Sequence, residues 1–261
     1  MEVYEIDGSG KKDIGQPKAF SYEEKPELIR RAAIAENSAN LQPQGHFILA
    51  GMQTTATYYG AMNEYRSGRH MGIAIRPREK LGGGRQGKVK RIPSAVKGKR
   101  AHPHMVEKIV KEGMNRREYQ GAVMSSISAC SKNSMIVDDS IEKVTKTKDM
   151  VRVIESLKLG KQLEEGRKKK IAKGVRRGTR MRHYKRSLLV VVKDDKGALR
   201  AARNIPGVDA CALSGLTVNA LAPGGNAGRH VIWSESAVRG IEEAVRAMSL
   251  DSQAKYVKEL R

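Results

Sequence analysis

Seven consecutive residues, Gly82-Gly83-Gly84-Arg85-Gln86-Gly87-Lys88, match the opening of a nucleotide P-loop, Gly-x4-Gly-Lys. Such a loop cradles phosphates on backbone N–H groups, needs Ser or Thr next to hold magnesium, and must open a helix. Here Val89 stands where the hydroxyl belongs, and Pro93 would break the helix in its first turns. Nucleotide hydrolysis therefore has no support in this stretch, but half of its physics survives. The glycines let the backbone and its neighbours Arg85, Lys88, Lys90 and Arg91 come close to phosphates, and a polynucleotide supplies phosphates without a catalytic fold.

The remaining constellations are poorer. His102 and His104 flank Pro103 with no cysteine or carboxylate nearby, so a turn or a hydrogen bond to RNA is favoured over a metal pair. Asp138-Asp139 and Asp194-Asp195 both follow apparent strands, where turn chemistry accounts for them. Cys130 and Cys211 are far apart with no CxxC spacing, which reads as two small buried side chains in a reducing cytosol. There is no nucleophile elbow, no HExxH, and no glycine-rich turn in the strand–helix context of a dinucleotide site. No catalytic residue, cofactor or metal is expected.

Charge is the stronger signal. Of the net charge of +22, Arg66–Arg100 contributes +11, with Glu79 its only acid, and Lys161–Arg186 contributes +10, with Glu164 and Glu165. The rest of the chain is close to neutral, so an ordinary body carries two polycationic segments, and a polyanion is the expected partner. The candidate RNA-binding side chains of the first segment are Arg66, Arg69, Arg76, Arg78, Lys80, Arg85, Lys88, Lys90, Arg91, Lys97, Lys99 and Arg100, followed by His102. Those of the second are Arg167, Lys168, Lys169, Lys170, Lys173, Arg176, Arg177, Arg180, Arg182, Lys185 and Arg186. Acidic lipid is the weaker partner. A surface-bound helix needs an apolar face, whereas Arg66–Arg100 has no aromatic residue, seven glycines and two prolines. No apolar run is long enough to span a bilayer, and the N-terminus does not read as a signal peptide.

The elements that must carry these segments follow from periodicity. A short strand over Val3–Ile6 precedes a helix opened by Pro26, with Leu28, Ile29, Ala32, Ala33 and Ala35 on one side. Regular periodicity is then lost from Leu41 to Pro103, far longer than the connections usual in compact domains. It returns at Asn115, where Asn-Arg-Arg-Glu has capping-box character and Tyr119, Val123, Ile127 and Cys130 follow at helical spacing. Met135–Val137 reads as a strand and Thr147–Leu159 as a helix stopped by Gly160.

Leu188–Val192 is the strongest strand signal, an unbroken apolar run that suggests burial on both faces of a parallel sheet. A turn at Asp194–Gly197, a helix Ala198–Asn204, a strand Val208–Leu213, a small helix near Leu216–Leu221 and a strand His230–Trp233 follow. A last helix is capped by Ser234, with Val238, Ile241, Val245 and Met248 inward. The expected fold class is α/β: an open, mostly parallel sheet flanked by helices, with a long non-globular arm inserted near the N-terminal third. Residues 1–40 and 104–261 would form the globular domain, 41–103 the extended basic arm, and 161–186 an internal basic segment. An excursion of about sixty residues, folded back on itself, reaches at most about 100 Å.

The kind of nucleic acid follows from what the sequence lacks. No helix-turn-helix, zinc module, basic zipper or ribonucleoprotein-type aromatic signature is present, so reading of base sequence is disfavoured. Contact with the backbone of a folded, irregular RNA suits both the composition and the arm. Two alternatives of other classes are an α/β enzyme acting on nucleic acid, with the basic segments as its cradle, and a general polyanion-binding protein.

Several segments, in shared order, carry a resemblance. They are PELIRRA (Pro26–Ala32), RSGRHMGIAIRPREKLGGGRQGKVKRIP (Arg66–Pro93), VKGKRAHP (Val96–Pro103) and NRREYQGAVMSSISA (Asn115–Ala129). AARNIPGVD (Ala201–Asp209) and LAPGGNAGRHVIWSESA (Leu221–Ala237) complete the set. Over most of its length the chain resembles the universal large-subunit ribosomal protein L-four family. The basic run before LLVVV and the LAPGG element point to the archaeal–eukaryotic branch, and the lack of a long C-terminal extension points to the archaeal form.

The resemblance implies a non-enzymatic constituent of the large ribosomal subunit, in the cytoplasm, bound to large-subunit rRNA and other large-subunit proteins. It further implies an arm reaching the nascent-peptide exit tunnel and meeting ribosomal protein L-twenty-two at the constriction. Ser67, Gly68, Arg69, His70 and Met71 would be the tunnel-facing tip. The Gly82–Arg91 and Lys97–His102 pieces would be buried in rRNA. No membrane partner and no homo-oligomer are expected.

Overall fold

A computed structural model describes residues 1–63, 65, 67–171, 182–250 and 252. The chain forms two compact units, residues 1–41 with 111–261, and residues 42–110. The second unit thus ends at Val110, beyond the expected limit at Pro103.

The first unit contains β1 (Glu2–Tyr4), β2 (Gly10–Asp13), α1 (Pro26–Ala39), α2 (Arg116–Cys130), β3 (Ser134–Val137), α3 (Thr147–Ser156) and α4 (Gly160–Arg167). It continues with β4 (Lys169–Ile171), β5 (Arg182–Tyr184), β6 (Leu188–Val192), α5 (Ala198–Arg203), β7 (Val208–Ala212), α6 (Val218–Leu221), β8 (His230–Ser234) and α7 (Glu235–Ala247). Six strands form one sheet in the order β2-β1-β3-β8-β6-β7, while β4 and β5 pair separately. Every pairing in the large sheet is parallel except that of the edge strand β2 with β1.

β6 lies between β7 and β8, and all five of its residues are buried. Because successive side chains alternate across a strand, one apolar run supplies two cores. Leu189 and Val191, with Val231 and Trp233 of β8, join Ile29, Tyr119, Ile127 and Ile241 from α1, α2 and α7 on one face. Leu188, Val190 and Val192, with Ile232, join Met150, Ile154 and Leu199 from α3 and α5 on the other. Trp233 and Phe20 meet edge to face with ring centroids 5.8 Å apart, a favoured aromatic geometry.

Local signals were right in type and wrong at several ends. α7 begins as expected, with Ser234 Oγ accepting from the Ala237 N–H at 3.3 Å. The capping box at Asn115 does not form, since the Asn115 side chain makes no cap hydrogen bond. Gly160 does not stop α3. The helix ends earlier, where Lys158 takes a left-handed φ of 61°, and Gly160 is the first residue of α4.

The second basic segment is therefore more than a helix–strand connection. Its first residues form α4, and β4 and β5 pair antiparallel, Lys169 with Tyr184 through Ile171 with Arg182. Lys173, Arg176, Arg177 and Arg180 lie outside the described residues, as does Arg66 of the first segment.

Residues 42–110 behave differently. Among their described residues there is one short 3-10 turn, Gly82–Gly84, and two isolated bridges, Thr57 with Arg78 and Lys80 with Gln86. Among the described residues of this unit, Ile92 is the one large apolar side chain that is buried. Phe47, Ile48, Met52, Tyr65, Ile75 and Val96 are among those left exposed. A fold is normally held by buried apolar area at about 25 cal/mol per Å², and this unit buries almost none.

Candidate nucleic-acid interface

The cations of residues 42–110 divide by what they touch. One group braces the unit. Arg78 donates to the carbonyls of Ala74 (3.0 Å) and Gly87 (3.4 Å), and Arg76 donates to that of Ser94. Lys99 donates to the Gln53 carbonyl, and Lys90 pairs with Glu79 at 3.2 Å. Lys80 lies over the Tyr59 ring, 4.8 Å from its centroid, and Arg100 Nη1 is 3.3 Å from His104 Nε2. A second group makes no side-chain bond or ion pair among the described residues: Arg69, Arg85, Lys88, Arg91 and Lys97, all exposed. With Glu79 as the segment's only acid and already engaged, these five point uncompensated charge outward.

The glycine-rich stretch has P-loop spacing but not P-loop geometry. Gly82–Gly84 is a tight turn with Gly83 at φ 70°, closed by the Leu81 N–H donating to the Arg85 carbonyl at 3.0 Å. Arg85 leaves it extended, and no helix follows to aim N–H groups at a bound nucleotide. The turn instead projects Arg85. Arg91 and Lys97 themselves hold left-handed φ values of 53° and 59°, unusual for residues with side chains, as does His70 at 57°.

The expected tip is a local turn. The Gly68 N–H donates to the Tyr59 carbonyl at 2.7 Å and the Arg69 N–H to Ser67 Oγ at 3.3 Å. Arg69, His70 and Met71 are exposed. His102 is also exposed. His104 lies by Arg100 and near His46, ring centroids 6.5 Å apart.

In the second segment Arg167 and Lys168 are exposed and unpaired among the described residues, Lys185 pairs with Glu165, and Arg186 lies 3.7 Å from Asp209. The backbones of Lys169, Lys170 and Arg182 belong to the β4–β5 ribbon.

Asp138 and Asp195 do the turn chemistry expected of them, while Asp139 reaches across the fold. Asp138 accepts from Ser140, Asp195 from the Gly197 N–H at 2.9 Å, and Asp139 from the Ser236 N–H at 2.8 Å in the first turn of α7. Sequence reasoning missed Glu142. Its Oε1 accepts from Ser234 Oγ (3.1 Å), Ser236 Oγ (3.0 Å) and the Lys193 N–H (3.1 Å), while Oε2 meets Lys196 Nζ at 3.2 Å. Open α/β sheets hold ligands outside the carboxyl ends of their strands. Here the ends of β6 and β8 are tied together by Glu142.

The thiols are equally unsuited to chemistry. Burial pushes the Cys130 thiol up, and it pushes Cys211 up to about 12, so neither supplies thiolate near neutrality. Ellman's reagent should label neither cysteine in the native protein and both after denaturation in guanidinium. Labelling of the native protein would show that the strands around them open. Among the described residues, no three His, Cys, Asp or Glu side chains are grouped to hold a metal ion. Among the same residues, no helix is long and apolar enough to cross a membrane.

The model of the Ribosomal protein L4/L1 family matches residues 16–244. The protein named large ribosomal subunit protein uL4 of Methanocaldococcus jannaschii is 37% identical, with 92% of this chain and 97% of that protein covered. Proteins of the same name from Methanoculleus marisnigri and Sulfurisphaera tokodaii are 36% and 34% identical, over 93% and 90% of this chain. The two cation-rich segments, the six-stranded sheet and this continuous likeness converge: the chain belongs to the Ribosomal protein L4/L1 family, in its archaeal form.

Proposed function

We propose that the protein is a non-enzymatic structural constituent of the large ribosomal subunit, working in the cytoplasm within the ribosome and binding large-subunit rRNA through both basic segments. The observation that carries this reading is the division of the cations in residues 42–110. Some shape the chain, and Arg69, Arg85, Lys88, Arg91 and Lys97 are presented with no internal counter-charge. Phosphates of a folded RNA supply that counter-charge and need no base-edge readers.

Residues 42–110 are then an arm whose exposed apolar side chains and backbone pack against rRNA and neighbouring subunit proteins. Its tip, Ser67–Met71, faces the nascent-peptide tunnel beside ribosomal protein L-twenty-two. The arm is mobile before assembly and is ordered by RNA, and the cost of ordering is offset by the many phosphate contacts. The poverty of buried apolar area in the arm supports this part of the reading.

Limited trypsin digestion tests it. In the free protein, bonds after the cations of Arg66–Arg100 should be cut well before those of the sheet domain, and saturating large-subunit rRNA should protect them. An arm that resists trypsin without RNA folds by itself, which contradicts the proposal.

A further inference from the structure

The LAPGG element has no part in the interface described so far, yet it borders a cleft of about 350 Å³ at the N-terminal edge of β6 and β8. That volume lies in the range of small-ligand pockets. Gln162 of α4, Lys185 and Arg186 line one side, and Asn226, Ala227 and His230 another.

Three features suggest an occupant. First, Gln162 Oε1 is buried and has no hydrogen-bond partner among the described residues, although its amide nitrogen lies 3.4 Å from His230 Nε2. Buried acceptors are normally satisfied, and this one, enclosed beside the cleft, meets a donor from outside when the Gln162 amide turns toward the opening. Second, the Arg229 side chain is 2% exposed and its Nε is likewise unpartnered. Its Nη1 is held by the Ala220 carbonyl at 2.7 Å and by Asp209 at 2.8 Å, so the guanidinium is fixed in place. Third, the rim carries the last two cations of the second basic segment, each about half exposed. On the opposite rim, just past the LAPGG element, Gly228 holds φ 103° and its carbonyl accepts from Asn133 Nδ2 at 2.9 Å.

We propose that this cleft receives a single unstacked nucleotide of the RNA held by the second basic segment. Lys185 and Arg186 exchange Glu165 and Asp209 for its phosphate, and Gln162, its amide turned to the opening, accepts at Oε1 from a ring or exocyclic N–H of its base. His230 offers a flat face for stacking, the usual platform for a splayed-out base. The inference rests on the rRNA-binding reading and deepens it, because it adds recognition of a base to an interface otherwise made to phosphates.

The experiment compares the full-length wild type with two variants, Ala227→Trp, which fills the cleft from an exposed position, and Gln162→Ala. Each is bound to large-subunit rRNA, and dimethyl sulfate and a Watson–Crick-edge carbodiimide probe the bases while hydroxyl radicals probe the backbone. The expected result is one unpaired base protected by the wild type and released by both variants, with backbone protections along the second segment retained. Affinity should fall roughly tenfold, the worth of one stacked base. Circular dichroism and thermal melting of each variant check the fold, and Gln162→Ala carries the test if the tryptophan unfolds the domain. Base protections that are the same for wild type and folded variants overturn the nucleotide cleft while leaving rRNA binding intact. Absence of any rRNA footprint by the wild type overturns the underlying reading.

Discussion

Affinity of the full chain for large-subunit rRNA should fall about 10³- to 10⁵-fold as salt rises from about 50 to about 200 mM, as expected if about six to ten phosphates are neutralised. Counterion release is the physical cause. Each lysine or arginine seated on a phosphate frees condensed cations, and that entropy is lost when the bulk is already salty. The division of the cations in residues 42–110 makes the expectation specific to position. Arg69, Arg85, Lys88, Arg91 and Lys97 have no partner within the chain among the described residues, so each changed to glutamine should lower the log–log salt slope by about one. Lys90 and Lys99 are engaged, by Glu79 and by the Gln53 carbonyl, so their loss should disturb the local shape of residues 42–110 more than the slope. Filter binding or fluorescence titration over a salt series reads both quantities. Slopes that stay unchanged across all five presented positions would show that these side chains do not meet phosphates.

The second large effect is on stability. Glu142→Ala should destabilise the sheet domain by about 3 kcal/mol, because it leaves the hydroxyls of Ser234 and Ser236 and the Lys193 N–H without their common acceptor. Lys196 contributes less, since its side chain is half exposed and screened by solvent. At a few degrees per kcal/mol for a domain of this size, the melting temperature should drop by about 10 °C. Burial acts to raise the Glu142 pKa, but hydrogen bonds from Lys196, Ser236, the Lys193 N–H and Ser234 outweigh it and hold the carboxyl below its ordinary value. A carboxylate depressed in the folded state stabilises it above the unfolded pKa, about 4.3 for glutamate, and that stability is lost as pH falls through the folded value. The gap between wild type and Glu142→Gln should therefore be full at neutral pH and close on acidification. Melting curves across pH test this, and a gap that widens in acid would reverse the assignment of charge.

Much of the sheet domain was legible because its information is local. Five adjacent apolar residues at Leu188–Val192 announce a central parallel strand, and Ser234 followed by Val238, Ile241 and Val245 announces a capped amphipathic helix. The edge strand β2, Gly-Lys-Lys-Asp, has no apolar residue to betray it and exists because β1 offers a free edge. α4 was hidden because Gly160 looked like a stop, whereas the left-handed residue that ends α3 is Lys158. Glu142 and Glu36 were invisible for a different reason. Glu36 accepts from Tyr119 Oη and from the Val218 and Asn219 N–H groups, partners up to 183 residues away, and no periodicity encodes a contact of that range.

The candidate interface was legible as charge and not as geometry. Counting lysines and arginines locates both segments, but it cannot separate Arg78, folded onto the carbonyls of Ala74 and Gly87, from Arg85, lifted out on a glycine turn. The cleft beside the LAPGG element is assembled from α4, the end of the basic segment and the approach to β8, which meet only in the folded sheet.

Ultraviolet cross-linking of large subunits assembled with this protein, followed by mass spectrometry of nucleotide-bearing peptides, tests the central claim most directly. Adducts should concentrate in peptides from Arg66–Arg100 and Lys161–Arg186, with few on the outer helices α3 and α7. Subunits whose adducts avoid both segments, or a chain that fails to enter the subunit at all, would contradict the account.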